Sequence, residues 1–261
     1  MVIWNKQKFN WRLFFILWFM VVIGVLGVIP YTLTLQTEQI AKVKLPISLE
    51  QLILIQVLAN TILLGIVTGL GLLLAHKIGL GLPFLDAITR KQHIHTSFRP
   101  VLFISIIIGV LSGIIIVALD VWVFDLDKTG VIIPEHIKPP AWQGFLASFY
   151  GGIIEEISLR LFLFSLLAWL ASFIIKSERI KPKGRVLWTV NVITAVIFGL
   201  GHLPITIALG LPLDAFIVSR AIVLNGIGGL AFGWLYWTYG LESAMIAHFS
   251  ADIVLHVLFA F

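Results

Sequence analysis

Nine ionisable residues stand inside the long apolar stretches of this chain: Asp120, Glu155, Glu156, Arg160, His202, Arg220, His248, Asp252 and His256. An ionisable group in the middle of a hydrocarbon layer costs at least ~2.5 kcal/mol, so each needs a structural or chemical reason. Glu155 and Glu156 fall in GGIIEEISLR, with Arg160 four residues beyond Glu156. On a helix that spacing brings Glu156 and Arg160 onto one face, so Glu156 has a partner. Glu155 is turned ~100° away and has none in its own helix. An unpaired carboxyl in a water-poor site is suited to act as a general base. The competing reading is an acid cluster neutralised by Arg160 that only fixes helix packing. His202 closes FGLGHLP, with Phe198 one turn before it and Pro204 just beyond; a lone membrane histidine also serves as an interhelical hydrogen-bond donor. His248, Asp252 and His256 are spaced i, i+4 and i+8, so they share one helix face. A carboxylate one turn from an imidazole can fix its tautomer. A polar stripe that glues helices together would look the same.

The elements that must carry these groups are membrane spans. Of 261 residues, 59% are hydrophobic and 12% charged, against roughly 25% charged in a soluble domain. The apolar residues come in seven runs, near 11–31, 49–76, 98–124, 142–175, 187–209, 215–239 and 242–260. Each reaches the ~20 residues needed to cross about 30 Å of hydrocarbon as a helix. The expected fold is therefore an all-α polytopic bundle of about seven to eight spans, without a soluble domain of appreciable size. The fourth run is too long for one simple span and is expected to begin as an interfacial stretch around Trp142, or to tilt strongly. The first run follows Lys6, Lys8 and Arg12, but its apolar core is too long for a signal peptide and lacks a small-residue cleavage site. There is no cysteine, which excludes disulfides and thiolate metal sites.

Positive charge sets the expected orientation. The N-terminal segment (Lys6, Lys8, Arg12), the second loop (Lys77, Arg90, Lys91, Arg99) and the fourth (Lys176, Arg179, Lys181, Lys183, Arg185) alternate and hold most of the 18 basic residues. The N-terminus is therefore expected in the cytoplasm, with the plasma membrane as the expected location. The net charge of +5 is divided among loops on one membrane side, which fits anionic lipid and not nucleic acid. Along straight, upright spans, Glu155 and His202 fall on the outer side of the midplane and His248 on the inner side, an axial gap of about 10 Å at 1.5 Å per residue.

Other patterns carry less chemistry. GIGGLA at 226–231 fits a dinucleotide fingerprint but lies inside a span with no preceding strand, so small-residue packing is the expected role. Gly65 with Gly69, and Gly229 with Gly233, are further packing candidates. Asp120 and Arg220 are expected to pair across helices or to snorkel. His76, His93, His95 and His136 fall at span ends or in loops. The zinc-protease, serine-hydrolase and P-loop signatures are absent.

The three constellations, in this order, resemble the CAAX prenyl endopeptidase and bacteriocin-processing family of membrane proteins, also called the Abi family. Its pattern is E-E-x-x-x-R, then F-x-x-x-H, then H-x-x-x-N or D. Here these read Glu155, Glu156 and Arg160; Phe198 and His202; His248 and Asp252. The resemblance covers residues 142–261, taken as a catalytic membrane core, and leaves 1–141 as helices without recognisable motifs. It implies a metal-independent intramembrane endopeptidase with no cofactor, acting on a peptide or protein substrate. Carried over, Glu155 is the general base, His202 orients the water or acts as acid, and His248 donates to the tetrahedral oxygen. Asp252 departs from the Asn of many members, and an ionised carboxylate cannot donate to an oxyanion. It must be protonated or must orient His248. Three other readings remain open on the sequence: a proton-coupled transporter with the same groups as a relay, a catalytically idle scaffold or immunity protein, and a zinc enzyme using Glu155, His202 and His248 as ligands.

Overall fold

A computed structural model describes residues 8–42, 46–94, 97–125, 137–174 and 184–259. Lys6, Lys176, Arg179, Lys181, Lys183, His95 and His136 lie outside the described residues, so the charge pattern they contribute is a matter of sequence alone. The described residues are helical and contain no strand. In order they are α1 (Trp11–Leu35), α2 (Thr37–Lys42), α3 (Leu49–Ile78), α4 (Pro83–Thr89) and α5 (Phe98–Leu119), which runs on as a π-helix, π1 (Asp120–Phe124). The motif-bearing helix is α6 (Ala141–Phe149), π2 (Tyr150–Glu155), π3 (Ile157–Phe164) and α7 (Ser165–Ile174). Then come α8 (Gly184–Gly201), α9 (Leu203–Ala208), α10 (Ala215–Tyr239) and α11 (Leu241–Asp252), prolonged by π4 (Ile253–Leu258).

Six helices are long and apolar enough to cross a membrane: Trp11–Leu35, Leu49–Ile78, Phe98–Phe124, Gly184–Ala208, Ala215–Tyr239 and Leu241–Leu258. The remaining run is the helix of α6, π2, π3 and α7, which holds Glu155, Glu156 and Arg160. Among the described residues, the seven apolar runs thus correspond to six helices of spanning length and hydropathy and the helix of Glu155, Glu156 and Arg160. The outward faces agree with a lipid surround. Ile62, Ile66, Leu70 and Leu73 on α3, and Phe103, Ile107, Leu111 and Ile114 on α5, are exposed at i, i+4 and i, i+3 spacing. Such apolar stripes would be a liability in water and carry no penalty in hydrocarbon.

Local signals set the helix ends. Ser48 accepts from Gln51 N–H while the Gln51 side chain accepts from Ser48 N–H, a capping box that starts α3. Gly79, at φ 74°, ends it in the left-handed region. Asp214 caps α10 by accepting from Ile217 N–H at 2.8 Å. Gly240, at φ 104°, makes the corner between α10 and α11. The buried carboxylate of Glu242, just past that corner, accepts from the N–H groups of Phe84 and Leu85 at 3.0 and 2.9 Å. It thereby caps α4 from another part of the chain.

The charge-bearing helix sits among the others. It packs on α1, α3, α8 and α11, while α10 lies against α8 and α11, and α5 against α11. Small residues allow the close approaches: Gly24 faces Ile154, Gly71 faces Leu161, Gly109 faces the Ala247 carbonyl and Gly113 faces Val254. The packing glycines named from the sequence are used in this way. Gly65 lies against Trp18, Gly69 against Phe14, Gly229 against Ala195 and Gly233 against Asn191. The helices of residues 1–141 therefore buttress the motif-bearing helices directly.

Asp120 and Arg220 form the cross-helix pair expected of them. Arg220 donates from Nε and Nη2 to the two carboxylate oxygens, each at 2.6 Å. Asp120→Ala leaves a guanidinium facing hydrocarbon. It is expected to destabilise the protein by about 1–3 kcal/mol, read as a lower melting temperature in detergent, with Asp120→Ala/Arg220→Leu recovering most of the loss. Equal melting of the single variant and the wild type would show that the pair does not stabilise the bundle.

Candidate intramembrane active site

Gly151 and Gly152 open the polar centre. A side chain at Gly152 would press on Phe249 Cβ and the Met245 carbonyl of α11, at 3.0 and 3.1 Å, so its absence lets α11 approach the charged helix. There the charged helix takes π geometry, in which N–H groups bond five residues back and side chains are re-aimed relative to an α-helix; such segments are frequent at functional sites. All four π segments carry or adjoin the ionisable residues of the spans: π1 begins at Asp120, π2 ends on Glu155, π3 contains Arg160 and π4 follows Asp252. The third contributor, α8, stops at Gly201, because Pro204 in the first turn of α9 lacks an N–H with which to continue the ladder. His202 stands at that corner, where its N–H bonds to the Gly199 carbonyl at 3.1 Å.

His248 is the hub. Its Nδ1 lies 2.7 Å from Glu156 Oε1, and that oxygen also takes Arg160 Nη1 at 2.8 Å. Glu156 is fully buried and Arg160 nearly so. Arg160 also donates from Nη2 to the Gly229 carbonyl at 3.2 Å, and its guanidinium lies over the rings of Phe198 and Phe232. The Glu156 carboxylate, ion-paired with Arg160 and in hydrogen-bond contact with Nδ1, holds the ring in one orientation. Phe232 stacks on the His248 imidazole with centroids 4.9 Å apart. The ring's other nitrogen, Nε2, faces Glu155 Oε2 at 3.5 Å and Asp252 Oδ1 at 3.6 Å. Both distances exceed a direct hydrogen bond and fall short of the ~5 Å that two hydrogen bonds through one water span. Glu155 keeps 24% of its side chain exposed, where Glu156 has none. Of two adjacent acids, one is locked into the framework and the other is open to a small molecule.

His202 approaches by a different route. Its Nδ1 lies 2.9 Å from the Phe198 carbonyl in its own helix. A carbonyl only accepts, so Nδ1 carries the proton and Nε2 of the neutral ring keeps its lone pair. Phe198 contacts both imidazoles edge-on, with centroids 4.8 Å from His202 and 5.7 Å from His248. Both imidazoles thus touch one phenylalanine, and the chain breaks at His202, where the estimate from straight, upright spans took the helix as regular. Glu155, Glu156, Arg160, His202, His248 and Asp252 gather around one aromatic floor. His256, named with them from its spacing, leads elsewhere: its Nδ1 lies 3.3 Å from the Tyr31 hydroxyl of α1. The change to π geometry at Ile253 ends the four-residue register on which a common face depended.

Gly151 and Phe232 escaped the sequence reading. A Cβ on Gly151 would collide with Asp252 Oδ2 and lie 3.1 Å from His248 Nε2, so the missing side chain is part of the site's shape. The available signal was a glycine four residues before a membrane carboxylate. Phe232 had no local signal, since an aromatic in an apolar span is the ordinary case. Among the described residues no group of three His, Asp or Glu side chains is arranged to hold a metal ion.

Fold and site together define a polytopic integral membrane protein with an acid and histidine centre among its helices. Residues 137–254 match the family model of the Rce1-like type II CAAX prenyl endopeptidases. The match contains all six gathered residues and stops short of His256. Searches of the curated proteins and of the solved structures found no match.

Proposed function

We propose that the chain is an intramembrane endopeptidase that hydrolyses a peptide bond with a water activated by Glu155. The carrying observation is the double engagement of His248: Nδ1 is fixed on Glu156, while Nε2 stands 3.5 Å from Glu155 and 3.6 Å from Asp252, and Glu155 keeps 24% of its side chain open to a gap beside them. A water in that gap can lose a proton to Glu155, and its oxygen then attacks the scissile carbonyl carbon. His248, protonated on both nitrogens, donates from Nε2 to the tetrahedral oxygen; donors fixed before the reaction stabilise such charge without reorganisation. As the C–N bond breaks, the proton held by Glu155 passes to the leaving amine. His202, with Nε2 free to accept, orients the water. Asp252, 3.6 Å from the same Nε2 and one turn along the helix from His248, suits an electrostatic positioning role in the place where relatives of this pattern carry Asn.

The matched family's name points to prenylated C-terminal peptides as the first substrates to try. The basic N-terminal segment and loops support a plasma-membrane protein with its N-terminus in the cytoplasm. The test is cleavage of fluorogenic peptides, prenylated and unprenylated, by the purified protein in nanodiscs, with and without a strong chelator. Hydrolysis should survive chelation, with zinc well below one per chain. One zinc per chain, lost together with activity, would overturn a glutamate-activated water. Absence of cleavage together with proton-coupled uptake in vesicles would move the same residues to a relay.

A further inference from the structure

At the end of the bundle where α1 begins and α4 ends lies a cavity of about 530 Å³ that the proposed chemistry does not use. Its walls include Lys8, Phe9, Trp11, Arg12, Arg90 and Lys91. Arg90 is committed, since Nε donates to both oxygens of Asp86 at 2.9 and 3.0 Å and Nη2 donates to the Lys8 carbonyl at 2.9 Å. The only carboxylate beside the cavity, Asp86, is thereby answered, with Asn10 donating to it as well at 2.8 Å. The side chains of Lys8, Arg12 and Lys91 are exposed and make no ion pair among the described residues. Three cations thus share one concavity with no internal counter-charge.

Two further observations point to a ligand. Lys91 sits at φ 56°, one of two non-glycine residues at positive φ among the described residues. It occupies the position after a helix end that glycine fills without strain, so a lysine is held there at a cost in backbone energy. The cavity also continues into a smaller crevice of about 90 Å³ that shares Lys8, Phe9, Asn10 and Arg90, and is walled by Leu13, Leu72, Leu73 and Leu80. A cationic mouth opening onto a crevice lined by leucines, together with His76 and the Asp86–Arg90 ion pair, offers contacts to both parts of a phospholipid. Trp11, 62% exposed, and its edge-to-face neighbour Phe9, with centroids 4.8 Å apart, set the depth. Aromatic rings of this kind sit at the headgroup level of a bilayer.

We propose that this cavity binds the phosphodiester headgroup of an anionic glycerophospholipid, with the start of an acyl chain in the crevice beside α3. Lys8, Arg12 and Lys91 supply the charge, and Trp11 packs at the glycerol level. The site is anchored to α1, which farther along packs Gly24 against Ile154 of π2, so a bound lipid braces the helix that supports the charged centre.

The test is native mass spectrometry of the full chain, released from zwitterionic detergent and titrated with phosphatidylglycerol, phosphatidylcholine or glycerol 3-phosphate. Phosphatidylglycerol should be retained in preference to both others. Arg12→Ala and Lys91→Gly should each weaken its binding about fivefold, and the double variant about twenty-five-fold. Lys91→Gly also relieves the positive φ, so its melting temperature should equal or exceed wild type, which separates lost binding from lost fold. Equal retention of phosphatidylcholine, or an unweakened double variant, would overturn the site. Binding of glycerol 3-phosphate as tight as that of phosphatidylglycerol would make the ligand a free phosphate ester and overturn the lipid assignment.

Discussion

Glu155→Gln is expected to lower peptide hydrolysis by about 10²- to 10⁴-fold, the usual contribution of a positioned general base, with the protein still folded and inserted. Glutamine matches glutamate in size and keeps an oxygen toward the gap before His248 Nε2, so helix packing is undisturbed. Glu156→Gln should behave differently. Its oxygen serves both the Arg160 guanidinium and His248 Nδ1 inside a fully buried cluster. Removing the charge leaves Arg160 uncompensated, at a cost of about 3–5 kcal/mol, read as lost yield and early melting. Activity with stability therefore separates two adjacent acids that the sequence alone presents as a pair. A stable, inactive Glu156→Gln beside an active Glu155→Gln would invert the assignment.

Gly151→Ala is expected to reduce hydrolysis by about 10²-fold or more while leaving the bundle folded. One methyl group at this position collides with Asp252 Oδ2 and reaches 3.1 Å from His248 Nε2. The clash is relieved only if Asp252 turns away or α11 moves back, and either shift changes the gap in which the water is proposed to sit. Misplacement of a reacting group by about 1 Å is enough for such a loss. Gly226→Ala on α10 is the control, because a Cβ there meets nothing within 4 Å. Its activity and melting temperature should match wild type. Undiminished hydrolysis by Gly151→Ala would show that the space between Asp252 and His248 is not where the reaction occurs.

Within one helix the sequence was legible. The four-residue spacing of Glu156 and Arg160 gives an ion pair, and the same spacing of His248 and Asp252 brings a carboxylate to the imidazole. Composition and run length alone imply an all-α membrane bundle, because only hydrogen-bonded helices satisfy their backbone in hydrocarbon over such lengths. The pairing of Asp120 with Arg220 also follows, since neither ion tolerates lipid alone. These inferences rest on distances set by backbone geometry within a few residues, or on a cost that any bundle must meet.

Only the tertiary structure decided which groups meet across helices. That Glu156 holds His248, that Phe198 contacts both histidines, that Gly151 makes room for Asp252 and that Glu242 caps α4 all depend on how the helices pack, on the break at His202 and on π segments that shift the register. An axial coordinate counted at 1.5 Å per residue along upright spans contains none of these. It therefore held His202 and His248 apart, although the folded helices bring both rings against one phenylalanine. The same register change turned His256 toward Tyr31 and away from the centre its spacing suggested. Sequence periodicity fixes which residues share a face for only as long as the helix keeps one period, and here the period changes where the polar residues gather.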